Sequence, residues 1–162
     1  MKSIVAVSTT ICVFLALPCP AHAEGGTKPV QISILHPLQI HDSDTSIVGL
    51  RVNLLYGVNR DVSGLDVGIV NKVLGARRGL QYGAVNLVEG DLSGWQHGYV
   101  NITAGRAKGL QSGLYNSAAH TDGIQLGLWN TAGDLYGLQI GLLNFNRSGD
   151  PLGFFPVVNY SF

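Results

Sequence analysis

The chain has 162 residues, of which 46% are apolar and 12% charged, and its 10 Lys and Arg balance 10 Asp and Glu. That balance excludes a strongly basic nucleic-acid-binding protein, and 22 glycines with so little charge and only 6 prolines are not the composition of an ordinary disordered segment. A single folded domain with a substantial core is the expectation at this length.

Residues 1–23 read as a signal peptide. Met1-Lys2 is a short cationic start, Ile4 to Leu17 is mostly apolar, and Ala21-His22-Ala23 offers small residues at the spacing of a cleavage site before Glu24. The apolar run is shorter than the ~20 residues of a permanent membrane helix. Both cysteines, Cys12 and Cys19, fall in this segment, so the exported chain is expected to carry no disulfide, thiolate zinc site or cysteine nucleophile. Residues 24–45 form an N-terminal leader with one alternating strand, Val30 to Ile34, followed by a break at Pro37 and His41-Asp42-Ser43-Asp44.

Residues 46–162 are expected to form a single β-repeat domain. An octad with the consensus G-L-Q-x-G-L-x-N runs from Gly64 to Asn71 and returns at Gly79–Asn86, Gly94–Asn101, Gly109–Asn116, Gly123–Asn130 and Gly137–Asn144. A degraded first copy starts at Gly49, with Asn53 in place of the second glycine and Tyr56 in place of the asparagine; a last one runs from Gly153 to Asn159. From Gly49 to Gly137 the leading glycines are spaced 15, 15, 15, 15, 14 and 14 residues apart. Alternation within the octad predicts a strand, with Leu138, Ile140, Leu142 and Asn144 on one face and Gly137, Gln139, Gly141 and Leu143 on the other. Two glycines per octad, each costing about 1 kcal/mol in a helix interior, disfavour a helix. Glu89-Gly90-Asp91, Gly105-Arg106 and Gly133-Asp134 between octads are turn chemistry.

The fold class is therefore all-β, built from tandem 14–15-residue repeats, with a stacked repeat or β-solenoid favoured. In a solenoid, Gln81, Gln96, Gln111, Gln125 and Gln139 form one hydrogen-bonded column headed by Asp66, and Asn71 to Asn144 form another at a turn. The alternative is a small up-and-down outer-membrane β-barrel, supported by the alternating aromatic ending Phe154, Pro156, Val158, Tyr160 and Phe162. Eight tilted residues span roughly 20 Å, short of the ~25 Å apolar band of such barrels. Pro156 suits an edge strand.

The octads, the lead-in from Gly49 to Asn59 and the ending from Phe154 to Phe162 resemble the spirochaete-type surface-repeat family of exported bacterial proteins, over roughly Val30 to Phe162. The resemblance implies a surface or outer-membrane setting and brings no catalytic residues.

Catalytic chemistry has little to stand on. The sequence holds no G-x-S-x-G, phosphate loop or H-E-x-x-H. His36, His41, Asp42 and Asp44 are the nearest approach to a metal cluster and are read as a polar loop, because their spacing matches no defined site. His97 fills a variable octad position and His120 an inter-octad stretch; Asp66 is an acid inside an octad without a second carboxylate to work with. No catalytic, cofactor-binding or metal residue is assigned and no cofactor is expected. Arg77-Arg78 and Arg106-Ala107-Lys108 read as solvated basic turns.

The structural repeat positions are Gly64, Asn71, Gly79, Asn86, Gly94, Asn101, Gly109, Asn116, Gly123, Asn130, Gly137 and Asn144, and Trp95, Tyr115 and Trp129 are candidates for an interaction surface. The function expected is that of a non-enzymatic exported surface or outer-membrane-associated repeat protein, structural or partner-binding, with a structural or pore-related barrel as the alternative. Its partner would be a protein, a glycan or the membrane and not nucleic acid. Its place would be the outer membrane or cell surface, with the periplasm as the alternative.

Overall fold

A computed structural model describes residues 26–150 and 152–162; the expected signal peptide lies outside the described residues. The described chain forms β1 (Thr27–Leu35), β2 (Leu38–Gln39), β3 (Ser46–Asn59), β4 (Val62–Val73), β5 (Arg77–Val88), β6 (Leu92–His97), β7 (Val100–Ser112), β8 (Tyr115–Leu126), β9 (Trp129–Asn146) and β10 (Phe154–Ser161). Successive strands from β3 to β9 pair in parallel, and β1 also lies parallel on β3. The register repeats the sequence period: Gly64, Gly79, Gly94, Gly109, Gly123 and Gly137 are stacked partners. This is a β-solenoid of about eight turns. Parallel neighbours rule out the up-and-down barrel, whose adjacent strands must run antiparallel.

Each coil has two limbs. Around Gly109, Ala107 and Gln111 point inward while Lys108, Leu110 and Ser112 point outward; the chain then bends at Gly113. Beyond the bend Leu114 and Tyr115 both face out, and Asn116 and Ala118 face in. This slip of phase corrects the alternation expected from sequence, which placed Asn144 beside Leu138 and Ile140. Asn144 is buried with Gln139, whereas Leu142 and Leu143 are both exposed. The glycines permit the shape. Gly109 has φ +119°, and a Cβ there would run into the carbonyl oxygen of Gly94; a Cβ on Gly113 would meet the carbonyl oxygen of Gly98.

The interior beside the bend is polar. Gln96 Nε2 donates to Gln81 Oε1 (2.9 Å), Gln111 to Gln96 (2.8 Å), Gln125 to Gln111 (2.8 Å) and Gln139 to Gln125 (2.8 Å). Every donor in this column points to the preceding coil. In the facing column each Asn Nδ2 donates to the following coil instead, from Asn71 to Asn86, Asn101, Asn116, Asn130 and Asn144 at 2.8–2.9 Å. The two amide columns are thus antiparallel. The second N–H of the Asn column is also used: Asn101 Nδ2 donates to Ser112 O at 2.9 Å. The column expected at a turn sits inside the second limb, just past the bend.

Both columns are capped with matching polarity. Gln81 Nε2 donates to Asp66 Oδ2 at 2.8 Å, and at the far end Asn159 Nδ2 donates to Gln139 Oε1 at 3.3 Å. Asn53 heads the other column, donating to Asn71 Oδ1 at 2.8 Å while accepting from Ser33 Oγ at 3.0 Å. The first octad is therefore less degraded than it looks. An irregularity between Asn53 and Tyr56 pairs Tyr56 with Val70 and Gly57 with Asn71, and the Asn53 side chain fills the space that Gly57 leaves. The copy expected from Gly153 is no coil: β10 runs antiparallel on β9 as an end cap, with Asn159 opposite Gln139. Pro156 lies in this terminal edge strand, at a shift of register between Phe155 and Val157.

Apolar packing inside the solenoid is confined to the turn end of each coil, where Ile47, Val62, Val73 and Val88 form one cluster and Leu92, Ala107 and Ala118 another. Turn carboxylates tie coils together. Asp61 accepts from the Ala76 N–H (2.7 Å) and Asp91 from the Arg106 N–H (2.8 Å).

Candidate interaction surface

The outward positions follow from the same two limbs. The first limb exposes Leu65, Leu80, Trp95 and Ile124 in one column, with the half-buried Leu110 between the last two and with Tyr82, Leu126 and Ile140 at positions two residues further on. The bend exposes Ile69, Tyr99, Leu114, Leu128 and Leu142, with Tyr99 65% accessible. Across the six octads there is one charged residue, Asp66, and it is buried. Charge lies instead along the turn edge and the positions next to it, where Arg78, Glu89, Asp91, Arg106, Lys108 and Asp134 are exposed. The solenoid is therefore apolar outside where it is polar inside, and charged outside where it is apolar inside. Soluble monomers rarely carry an apolar surface that continues along a whole domain.

The three aromatic candidates divide between the limbs. Tyr115 and Trp129 are register partners on the second limb, with ring centroids 6.3 Å apart. The strip continues through Phe145, 5.4 Å from Trp129, to Phe154, 5.0 Å further on. Phe145 lies just outside its octad and Phe154 in the antiparallel cap, so only the bend and the cap register bring them into line. Trp95 belongs to the first limb, where its indole N–H donates to Ser112 Oγ at 2.8 Å and its ring stands edge-on to His97 at 5.9 Å. Ser112 Oγ is also 2.8 Å from His97 Nδ1, and Tyr82 stacks on His97 at 5.1 Å.

Charged groups inside the solenoid gather at the head of the glutamine column. Arg51 and Asp66, both fully buried, form a two-pronged pair: Nε to Oδ1 at 2.7 Å and Nη2 to Oδ2 at 2.6 Å. Arg77, read from sequence as part of a solvated turn, is also fully buried. Its neighbours in the same column are Val62 and Leu92, so it takes an apolar place. It donates to the carbonyls of Val62 and Gly64 and closely to those of Arg78 and Leu80, but its Nε has no hydrogen-bond partner and lies 3.9 Å from Asp66. Burial pulls its pKa down to about 10, with Asp66 opposing and Arg51 reinforcing that shift, so it remains a cation at neutral pH.

At the turn edge, partial burial works against ionisation of Asp61. Hydrogen bonds from Ala76, Ser46 and Arg60, with the Arg60 charge, outweigh it and hold the carboxyl below its usual range. The hydrogen bond to Glu89 raises the Lys72 pKa.

Among the described residues, no three His, Asp or Glu side chains come together as metal ligands would. His36 and His41 flank β2, and the His41 backbone is bound by Gln31 and Gln39. No family model matches the chain, and no characterised protein or solved structure matches it.

Proposed function

We propose that the protein is a non-enzymatic, exported repeat protein of the bacterial envelope, associated with the outer membrane through its apolar bend and limbs. The observation that carries this reading is the segregation of side chains: each octad exposes at least one Leu, Ile, Tyr or Trp on its outside, and among the described residues the exposed charge of the coils lies at or beside the turn edge. A bilayer satisfies such a surface at about 25 cal/mol per Å² of apolar area removed from water. Parallel pairing along the stack engages the backbone of the inner coils, while the outer edges of β10 and of most of β1 stay open and must face water, headgroups or protein rather than acyl chains. Each limb reaches roughly 15–20 Å from turn to bend, about half of a ~30 Å hydrocarbon core. That length fits one leaflet, entered bend first, with the turn edge among the headgroups. The resemblance to surface-repeat proteins agrees with this setting, and the signal peptide expected at residues 1–23 supplies the route.

The two tryptophans, Trp95 and Trp129, report on opposite limbs. Vesicles brominated on their acyl chains should quench both in the bound protein. Recovery of a monomer that stays soluble without detergent, with neither tryptophan quenched, overturns the reading.

A further inference from the structure

Resting on that membrane reading, we infer that the turn edge around Ser93 is a binding site for the phosphate of an anionic lipid headgroup. Arg78, Ser93 and Lys108 are register partners on three successive coils. Coils about 4.8 Å apart place the two cations on either side of the serine hydroxyl. Arg106, one coil turn beside them, joins the same open depression of about 300 Å³. All four side chains are exposed, and among the described residues Arg78, Arg106 and Lys108 make no ion pair.

A second observation points to an anion here. Arg77 lines the same depression, and its fully buried guanidinium lies behind it, with Nε facing Asp66 at 3.9 Å without a hydrogen bond. The buried trio Arg51, Asp66 and Arg77 carries two positive charges against one negative, so the interior on the Arg78 side of the depression, from one coil before Ser93, holds an uncompensated cation. One acid, Asp91, lines the depression and spends one carboxylate oxygen on the Arg106 N–H, so Arg78, Arg106 and Lys108 outnumber it three to one; Glu89 is paired with Lys72, and Asp122 is the register neighbour of Lys108 on its far side.

The source of the phosphate follows from what lies two residues along each strand. Leu80, Trp95 and Leu110 continue directly from Arg78, Ser93 and Lys108 on the same side of the sheet. A phosphate held at Ser93 therefore has its acyl chains running down an apolar limb, with the indole of Trp95 at the level where amphipathic rings sit in membranes. Cationic residues rimming an apolar face are the arrangement that favours anionic bilayers.

The test is flotation of the full exported chain with pure phosphatidylcholine vesicles and with vesicles containing phosphatidylglycerol. Binding should favour the anionic vesicles, each exposed cation contributing about a fivefold change in partition. Replacing Arg78, Arg106 and Lys108 together by Gln should abolish the preference while leaving binding to phosphatidylcholine and the circular dichroism spectrum unchanged. Arg78→Lys with Arg106→Lys should retain the preference, which separates charge from folding. Equal binding of the wild type to both vesicles, or a preference that survives the Gln variant, overturns the site and leaves the membrane reading standing. Complete displacement from anionic vesicles by inorganic phosphate at matched ionic strength would make this a free-anion site and also overturns the lipid assignment. Binding to neither vesicle overturns the site together with the reading on which it rests.

Discussion

The head and the body of the glutamine column solve one problem in two ways. In the body, Gln96, Gln111 and Gln125 are identical links, each donating to the coil before and accepting from the coil after, and Gln139 donates in the same way while accepting from Asn159 of the cap. Such a chain has no natural end, because its first member always lacks an acceptor. At the head, Asp66 supplies one: an ionised carboxylate only accepts, so it fixes the direction in which every later amide points. Its buried charge is answered by Arg51 one coil earlier. The comparison teaches that a repeated polar interior needs a non-repeating terminus, and that the terminus concentrates the energetic risk, since a buried charge without its partner costs far more than a buried amide without one.

Breaking the head should therefore have the largest effect. Asp66→Leu leaves Arg51 buried without its counter-ion and Gln81 without its acceptor, and should lower unfolding free energy by about 3–5 kcal/mol in a denaturant titration. In the body, Gly113→Val forces a side chain against the Gly98 carbonyl and should cost about 3 kcal/mol. Gln111→Leu removes the column bonds to Gln96 and from Gln125 and should cost about 2 kcal/mol, less than the glycine change. Equal melting shifts for these two variants would show that coil spacing is not what the glycines protect.

Arg77 sharpens the comparison, because it is a buried cation without the two-pronged partner that Arg51 has. Arg77→Met gives its column an apolar residue and should raise stability by roughly 1 kcal/mol, whereas Arg51→Met should be strongly destabilising. A loss of stability in both would mean that Arg77's carbonyl contacts outweigh its unbalanced charge.

The smallest effect belongs to the exposed turn. The Asp61 carboxyl is held below its ordinary value of 3.8, so its contribution is present above that pH and lost as pH falls through the folded value. Asp61→Asn should melt below the wild type at neutral pH, and the gap should close on acidification below about pH 4. A gap that does not change with pH would assign the effect to packing.

The repeat and its strands were legible in the octads, and so was Pro156 at an edge, because spacing and proline chemistry are local. Strand direction was not, since a 15-residue period serves a coil or a hairpin arm equally well. The sides of the sheet were misread for one physical reason: a bend at Gly141 lets Leu142 and Leu143 both face outward, and alternation cannot be counted across it. Of the surface candidates, Tyr115 and Trp129 align as their matched octad positions suggest, while Phe145 and Phe154 join them only through the fold. Arg77 beside Arg78 looks like any solvated basic turn; only the stacking beneath Val62 and Leu92 reveals that it points inward.

The central claim is the inversion of inside and outside, and cysteine labelling measures it directly because both native cysteines precede Glu24. Single variants Ala118→Cys, at an inward position, and Leu128→Cys, at the bend, should be treated with N-ethylmaleimide in mild detergent. The account predicts rapid modification at position 128 and protection at position 118 until the chain is unfolded. Rapid modification at 118 with protection at 128 would contradict it.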